Sequence, residues 1–153
     1  MKIEIDIPKQ ELRFAGRRYT VSTSRFGAGE KNGSFCTPRG AHIVRAKIGA
    51  GQPLGAVFVR RRPTGEVWSP ELHERYPGRD WILTRILWLS GCEPGRNRLG
   101  DVDTMRRYIY IHGCPDTAEL GKPGSIGCVR MRNRDVAELF DRVPAYTPVQ
   151  VIE

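Results

Sequence analysis

A histidine and a cysteine in the last third of the chain are the residue types that thiol chemistry needs. His112 precedes Gly113, and sixteen residues after the histidine Cys128 follows Ser125-Ile126-Gly127. A thiolate is a strong nucleophile, and an imidazole can withdraw its proton. A cysteine after a glycine can also lie beside backbone N–H groups that stabilise an oxyanion. The pair therefore indicates acyl transfer through a thioester, although at this spacing two unrelated core residues are the more common explanation.

The residues before Gly113 predict a β-strand that positions the imidazole. Alternation along a strand from Tyr108 to His112 places Tyr108, Tyr110 and His112 on one face, with isoleucines on the other. Gly113 permits a sharp exit from that strand. A face with two phenols and an imidazole is unusual for a plain core, so Tyr110 is a candidate to line a pocket.

The rest of the sequence shows patterns that predict mostly β-strands. Apolar and charged residues alternate at the start of the chain, and glycine and proline clusters such as Pro63-Thr64-Gly65 separate the later apolar runs. We expect strands at Ile3–Ile7, in a hairpin from Leu12 to Val21, and at His42–Ile48, Leu54–Arg60, Trp81–Leu89 and Thr147–Ile152. No repeat or linker divides the chain, so we expect one domain over residues 1–153.

One helix is predicted near the C-terminal end. Asn133 is a good N-cap, Asp135 lies in the first turn, and Pro144 ends the segment. Between them, apolar residues recur at helical spacing up to Val143. This stripe predicts a short helix that packs on the sheet.

Composition limits the possible partners. The 153 residues carry 25 Lys plus Arg against 17 Asp plus Glu, a formal net charge of +8. The arginines are scattered, with Arg60–Arg62 as their only run, and no nucleic-acid-binding module is recognisable. We therefore expect a solvated basic surface without nucleic-acid binding, and no apolar run predicts a membrane span.

Cysteine spacing argues against a metal site. The chain contains Cys36, Cys92, Cys114 and Cys128 but no CxxC pair. His112, Cys114 and Cys128 with His42 or His73 would match no standard zinc spacing. We expect free thiols, no metal and no cofactor. Cys114 is interpreted as a small buried residue, His42 as strand packing and His73 as a surface residue, while Cys36 and Cys92 have no assigned role.

The same tail resembles the catalytic domain of bacterial L,D-transpeptidases. Their signature is His-Gly at a strand end, a dozen or so residues, and then Ser/Thr-His-Gly-Cys-apolar-Asn/Arg. Here twelve residues, the first of them Gly113, separate His112 from Ser125-Ile126-Gly127-Cys128-Val129-Arg130. The likeness extends over nearly the whole chain, through Gln10-x-Leu12, Val21-Ser22-Thr23, Thr37-Pro38-x-Gly40 and Asn133–Pro148.

The resemblance implies a fold and a set of roles. The fold would be a mainly β, L,D-transpeptidase-like sandwich or barrel. Cys128 would be the nucleophile, His112 the general base, and the Gly113 carbonyl the group that orients the ring. The Gly127 and Cys128 amides would be the oxyanion donors. Ser125 would hydrogen-bond around the thiol or act only as a turn residue, and Arg130 would pair with a substrate carboxylate. Arg132 is a weaker substrate-binding candidate, because a surface charge explains it equally well.

The implied reaction acts on peptidoglycan. Attack at the meso-diaminopimelate carbonyl of a stem tetrapeptide, or of a soluble muropeptide, would release D-Ala and leave a thioester on Cys128. Carbapenem-type β-lactams would acylate the same thiol. One residue departs from the signature, because Ile126 stands where the family commonly has a second His. His112 is then the only plausible base.

The fate of the thioester is open in the sequence. Met1 runs directly into the first strand, which favours a cytoplasmic L,D-carboxypeptidase that uses water on recycled muropeptides. An exported L,D-transpeptidase that makes 3-3 cross-links, with its leader outside this sequence, is the alternative. A peptidoglycan-binding module without chemistry would not need the thiol, and a zinc- or nucleic-acid-binding protein is more remote.

Overall fold

The computed structural model describes every residue from 1 to 153, and the chain forms ten strands and two α-helices. The strands are β1 (Ile3–Asp6), β2 (Glu11–Phe14), β3 (Arg17–Ser22), β4 (Gly40–Ile48), β5 (Ala56–Val59), β6 (Arg62–Val67), β7 (Ile82–Gly91), β8 (Tyr110–Gly113), β9 (Val129–Met131) and β10 (Pro148–Ile152). The helices are α1 (Pro70–Arg75) and α2 (Asn133–Arg142). Neither helix has the length and the apolar stretch that crossing a membrane would require.

Eight strands close into a barrel. Their hydrogen-bonded order is β4-β10-β1-β2-β3-β9-β8-β7, and β7 pairs again with β4 from His42–Gly91 to Ile48–Ile86. Closure leaves none of the eight strands with a free edge. The β5–β6 hairpin adds to the first residues of β7 outside this ring. The mainly β barrel expected from the sequence is confirmed.

The barrel is filled by one apolar core, and α2 covers one side of it. Ile3 and Ile5 of β1 are fully buried there, together with Val136 and Leu139 of α2. The helix packs against β7 and also against β8, and β8 is the strand that carries His112. The predicted C-terminal helix on the sheet is therefore confirmed, and it supports the site from behind.

A parallel strand pair brings the candidate residues together. β8 and β9 pair in parallel with His112 opposite Arg130. Side chains alternate along a strand, and paired residues point to the same face. Val129, between Cys128 and Arg130, is fully buried in the barrel core. Cys128 and Tyr110 lie in a second apolar cluster on the other face. The alternation places His112 on that same outer face.

Two predicted boundaries are wrong. The strand predicted from Tyr108 begins at Tyr110, and Tyr108 itself has a φ of 57°, outside the extended region of regular strands. The predicted helix cap is displaced by one residue: Arg132 is the N-cap and Asn133 is the first helical residue. Asn133 instead accepts a 2.6 Å hydrogen bond from the hydroxyl of Thr84, which ties α2 to β7.

The sequence patterns did not predict two elements, strand β6 and helix α1. Pro63–Gly65 was interpreted as a break, but it lies inside β6, because the chain reverses earlier, at Arg60–Arg61. Helix α1 begins after Ser69, whose hydroxyl accepts a 3.1 Å hydrogen bond from the backbone N–H of Leu72. Pro70 at the start of the helix is a second start signal of the usual kind.

Candidate active site

The Cys128 thiol contacts the backbone of the segment that enters β8. The backbone N–H of Tyr110 donates to the Cys128 Sγ at 3.3 Å, and the Cys128 thiol donates to the carbonyl of Tyr108 at 3.4 Å. The cysteine is half-buried and lines a cavity of about 420 Å³. The thiol is therefore held at two points and open to this cavity.

His112 is almost fully buried in β8 and is not among the residues that line this cavity. The residue is 1% exposed, and its Nδ1 lies 2.6 Å from the Gly113 carbonyl oxygen. This contact fixes Nδ1 as the protonated nitrogen of the neutral ring, which leaves Nε2 as a proton acceptor. Nε2 makes no hydrogen bond within the protein. The fully buried side-chain atoms that lack a partner are Trp81 Nε1 and Arg85 Nε, and Nε2 of His112 is not one of them. The contact to Gly113 is the one expected from the resemblance, and its catalytic role stays a prediction.

Burial keeps both groups uncharged near neutral pH. Desolvation lowers the pKa of His112, and the nearby Asp80 carboxylate opposes part of that shift. Desolvation also raises the pKa of the Cys128 thiol to about 12, against a weaker opposing effect of the Tyr110 N–H. At pH 7 such a pKa leaves roughly one thiol in 10⁵ ionised. The resting pair is therefore a thiol and a neutral imidazole, and not an ion pair.

The loop before Cys128 is fixed by its own hydrogen bonds. The Ser125 hydroxyl donates to the Cys128 carbonyl at 2.6 Å and accepts from the Gly127 N–H at 3.2 Å. Ser125 therefore bonds to the loop backbone and not to the sulfur. The Thr37 hydroxyl donates to the Gly127 carbonyl at 2.9 Å. The Gly127 amide is thus already paired, whereas the Cys128 N–H has no acceptor in the protein and is free to act as an oxyanion donor.

Gly127 is required by the backbone at this point. Its φ is 130°, a value that side chains disfavour. A Cβ placed there would lie 3.1 Å from the Ile109 side chain, which is tighter than an ordinary contact. Glycine therefore lets the loop pass close to Ile109, which lies between Tyr108 and Tyr110, the two residues that bond to the thiol.

Three arginines line the Cys128 cavity. They are Arg60 and Arg61 from the β5–β6 turn and Arg107 from the segment before β8. None of them has a carboxylate within 4.0 Å. Asp80 is the only acidic residue in the wall. The cavity beside the thiol is therefore positively charged.

Strained backbone is concentrated in the same wall. Nine residues other than glycine have positive φ, and four of them line this cavity: Phe35 (59°), Arg60 (50°), Arg61 (67°) and Tyr108 (57°). Such conformations cost on the order of 1–3 kcal/mol each and cluster at functional sites. The concentration supports a functional role for the cavity independently of the Cys-His motif.

Arg130 and Arg132 do not line the Cys128 cavity. Arg130 donates to the Asp80 carboxylate at 3.3 Å and to the Gly124 carbonyl at 3.3 Å, and it faces a neighbouring cavity of about 290 Å³. Asp80 lines both cavities and forms the boundary between them. Arg132 is exposed at the start of α2 beside a third cavity. Among the residues predicted to bind substrate, the structure places only Tyr110 in the wall next to the thiol.

The remaining histidines have structural surroundings. His42 is buried, with ring nitrogens 3.0 Å from the Gly40 carbonyl and 2.9 Å from the Thr104 hydroxyl, in agreement with strand packing. The surface position expected for His73 is wrong, because this ring is half-buried. It stacks on Trp81 at a centroid distance of 5.9 Å and receives a hydrogen bond from the Trp68 indole.

The other thiols lie outside the cavity, and no side chains are grouped as metal ligands. Cys114 is buried, and its thiol donates to the Met131 carbonyl at 3.3 Å. Burial raises its pKa to about 11.

All four cysteines are unpaired. No three His, Cys, Asp or Glu side chains lie together as a metal site would require, so the zinc ligand sets considered from the sequence are not assembled.

Sequence reasoning missed most of the wall, including Arg60, Arg61, Asp80, Arg107 and Phe35. Arg107 is the most tightly held, because its guanidinium donates to the Cys36 carbonyl at 2.7 Å and to the Glu30 carbonyl at 3.2 Å. The available signal in the sequence was Arg60–Arg62, the only run of three consecutive arginines. The other residues come from segments that only the fold brings together.

Comparison with known proteins identifies the family of this chain. Residues 1–151 match the YkuD family model, described as an L,D-transpeptidase catalytic domain. The chain is 45% identical over 129 residues to the probable L,D-transpeptidase ErfK/SrfK of Salmonella typhimurium and 31% identical over 126 residues to the probable L,D-transpeptidase YbiS of Escherichia coli. Each match covers 76% of this chain and 40% of the relative, so the chain spans about two fifths of the length of these relatives.

Solved structures agree on the fold. An Enterococcus faecium L,D-transpeptidase superimposes with a TM-score of 0.58 at 16% identity, over 99% of this chain and 49% of that chain. L,D-transpeptidase 3 of Mycobacterium tuberculosis, solved with a faropenem-derived adduct, gives 0.57 at 14% identity, over 99% and 59%. The barrel with α2 behind it is thus the fold of L,D-transpeptidase catalytic domains. The chain belongs to the YkuD family.

Proposed function

We propose that residues 1–153 form one catalytic domain that cleaves the bond between meso-diaminopimelate and D-Ala in peptidoglycan stem tetrapeptides, through a thioester on Cys128. The observation that carries this proposal is the shared outer face of β8 and β9. On that face, β9 follows a thiol that lines an open cavity, and the neighbouring strand β8 carries a buried imidazole whose Nδ1 bonds to Gly113 and whose Nε2 has no hydrogen-bond partner in the protein.

The proposed first half-reaction starts from the neutral pair. Sγ of Cys128 attacks the diaminopimelate carbonyl while the thiol proton passes to Nε2 of His112. The free Cys128 N–H donates to the developing oxyanion. The tetrahedral intermediate collapses, the C–N bond breaks, and the D-Ala amine leaves with the proton held by His112. Because the thiol pKa is about 12, this transfer to the imidazole is needed for attack at neutral pH.

The second half-reaction regenerates the thiol. Water or an amine attacks the thioester carbonyl, His112 takes the proton of the attacking group, and the thiolate leaves and is reprotonated by the imidazolium. Water gives a tripeptide, the L,D-carboxypeptidase outcome. A second stem amine gives a cross-linked dimer, the L,D-transpeptidase outcome. Both outcomes share the acyl-enzyme, so the acceptor is read from the products.

The experiment is incubation of the purified protein with a soluble tetrapeptide muropeptide, followed by mass spectrometry. Loss of D-Ala alone identifies water as the acceptor, and a dimer that lacks one D-Ala identifies an amine. Cys128→Ser is the inactive control and Cys114→Ser the matched control, since a serine hydroxyl can replace the Cys114 bond to Met131. Retention of D-Ala by folded wild-type protein would overturn the proposal.

Covalent inhibition by carbapenem-type β-lactams is part of the proposal. The L,D-transpeptidase LdtMt1 has been solved in complex with imipenem, at a TM-score of 0.54 and 17% identity to this chain, over 98% of this chain and 57% of that chain. We propose that the strained lactam carbonyl takes the position of the scissile carbonyl beside Cys128. Ile126 lines the same wall and is 40% exposed, where the family commonly has a second histidine.

A further inference from the structure

Arg61 is held in the cavity by one residue that also holds the nucleophile. The backbone N–H of Tyr110 donates to Sγ of Cys128 at 3.3 Å, while the Tyr110 hydroxyl accepts from Nη1 of Arg61 at 3.0 Å. A single tyrosine therefore fixes the separation between the thiol and this guanidinium. A positive charge at a fixed distance from a nucleophile is a means of selecting among substrates.

Aromatic rings also fix the orientation of the Arg61 guanidinium. Its central carbon lies 5.0 Å from the ring centroid of Trp88 and 4.9 Å from that of Tyr108. Stacked arginines keep a defined plane, which suits them to bind planar anions through two parallel N–H bonds. Only Nη1 has a hydrogen-bond partner in the protein, so other donors of the guanidinium are free. The group is oriented in advance and still has unused binding capacity.

The charge on Arg61 is not neutralised by the protein. Arg61 forms no salt bridge, and Asp80, the one carboxylate of the wall, is already paired with Arg130. Arg107 has no carboxylate partner either, but its two terminal nitrogens are used by backbone carbonyls. Arg60, beside Arg61 in the turn, is exposed and also unpaired. An anion that entered the cavity would therefore meet Arg61 as its best-presented partner.

We propose that Arg61 is a specificity-determining residue that binds a carboxylate of the peptide whose carbonyl Cys128 attacks. The inference rests on the proposed function, because the carboxylate belongs to the stem tetrapeptide. Two groups of that peptide share this chemistry: the terminal carboxylate of D-Ala and the side-chain carboxylate of diaminopimelate.

The test compares three peptides: the tetrapeptide, its C-terminal amide, and the tetrapeptide with lysine in place of diaminopimelate. The second lacks the terminal carboxylate and the third lacks the side-chain carboxylate. Release of the terminal residue is measured with wild type, Arg61→Gln, Arg61→Lys and Arg62→Gln. Arg62 is the matched control, because it is exposed in the same hairpin, carries the same charge and does not line the cavity. Binding of each peptide to Cys128→Ser, with and without Arg61→Gln, is measured by calorimetry.

We expect wild type to prefer the tetrapeptide over one of the neutralised peptides by about tenfold or more in KM, as a charge-assisted hydrogen bond implies. The peptide that loses affinity identifies the carboxylate. Arg61→Gln should abolish this preference with kcat changed by less than about twofold, Arg61→Lys should restore part of it, and Arg62→Gln should keep it.

A merely structural role of Arg61 gives a different result. Damage to the hairpin would weaken all three peptides equally and leave the preference intact, which would overturn the inference. Equal use of all three peptides by wild type would overturn it too, while the proposed function would stand. If wild type cleaved none of them, the proposed function would fail, and the calorimetric preference of Cys128→Ser would still decide whether Arg61 binds a carboxylate.

Discussion

The Asp80 carboxylate lies 3.3 Å from Nη2 of Arg130, at the boundary between the Cys128 cavity and its neighbour. Its negative charge raises the pKa of both His112 and Cys128. Asp80 therefore helps to keep the proton on the thiol and assists protonation of the imidazole. Arg130 lowers the pKa of both groups, so the two charges of this ion pair act on His112 and Cys128 in opposite directions.

Removing this charge should change the pH dependence of the reaction. Asp80→Asn takes away a group that raises the pKa of His112, so the imidazole will remain neutral to lower pH. We expect the acid limb of kcat/KM to move to lower pH than in wild type. Glu71→Gln on exposed α1 is the control for loss of one negative charge. An acid limb at the wild-type position in Asp80→Asn would contradict the assignment.

The wild-type profile follows from the two shifted groups. His112 must be neutral to accept a proton, and its pKa lies below the ordinary 6.5, so kcat/KM should fall only at pH values below about 6.5. The thiol pKa of about 12 predicts a flat profile between roughly pH 7 and 9. The measurement is D-Ala release across this range. A tenfold rise per pH unit between 7 and 9 would show attack by a pre-ionised thiolate instead.

Substitution of the two reacting residues should remove turnover. Cys128→Ser keeps the shape but offers a hydroxyl that is far harder to ionise, so D-Ala release should fall to background while substrate still binds. His112→Gln should lower kcat by about 10²–10⁴, the usual contribution of a general base. Cys114→Ser should remain within about twofold of wild type. If Cys114→Ser were the inactive variant and Cys128→Ser active, the nucleophile would be wrongly assigned.

Exposure to imipenem should add one drug mass to the protein. Intact-mass spectrometry before and after incubation measures the adduct, and peptide mapping should place it on Cys128. Cys128→Ser is expected to remain unmodified, which separates acylation of this thiol from reaction at exposed Cys92. Wild-type protein with a titratable thiol but no adduct would argue against the pocket.

Buried His42 should make the fold sensitive to acid. Burial lowers its pKa to about 4, from 6.5 in the unfolded chain. The unfolded state therefore binds the proton first as pH falls, and stability is lost between about pH 6.5 and 4. Between pH 7 and 5 this amounts to about 2 kcal/mol from one histidine. Urea unfolding at both pH values should show a smaller loss in His42→Gln than in wild type. An equal loss in both proteins would assign the sensitivity to other groups.

The motif residues could be predicted from sequence because local patterns define them. Gly127 before Cys128 has a φ of 130° that only glycine adopts easily, and Gly113 lies in β8 where a Cβ would collide with Asn133 and the Leu83 carbonyl. The alternation correctly placed Tyr110 and His112 on one face. The strand start predicted at Tyr108 was wrong, because that residue has a φ of 57°, although Tyr108 still lines the same cavity as Tyr110.

The rest of the cavity could not be predicted from local patterns. Arg61 and Asp80 reach Cys128 through pairing of the β5–β6 hairpin and β7 with β8, contacts between segments that lie far apart in the chain. Arg130 was placed by the motif, but its pairing with Asp80 depends on that same long-range arrangement. Composition and spacing define residue types, whereas sheet order decides which of them share a cavity.

The turn at Arg60–Arg61 implies a conflict between stability and specificity. Two central residues with positive φ are the pattern of a type I′ hairpin turn, for which Asn-Gly is the favoured pair. Selection for thermostability alone should therefore replace these arginines with Asn and Gly, since relief of backbone strain stabilises the hairpin. The stabilised protein would then lack the Arg61 guanidinium that lines the Cys128 cavity. Directed evolution of this fold should therefore screen for heat resistance and substrate preference together.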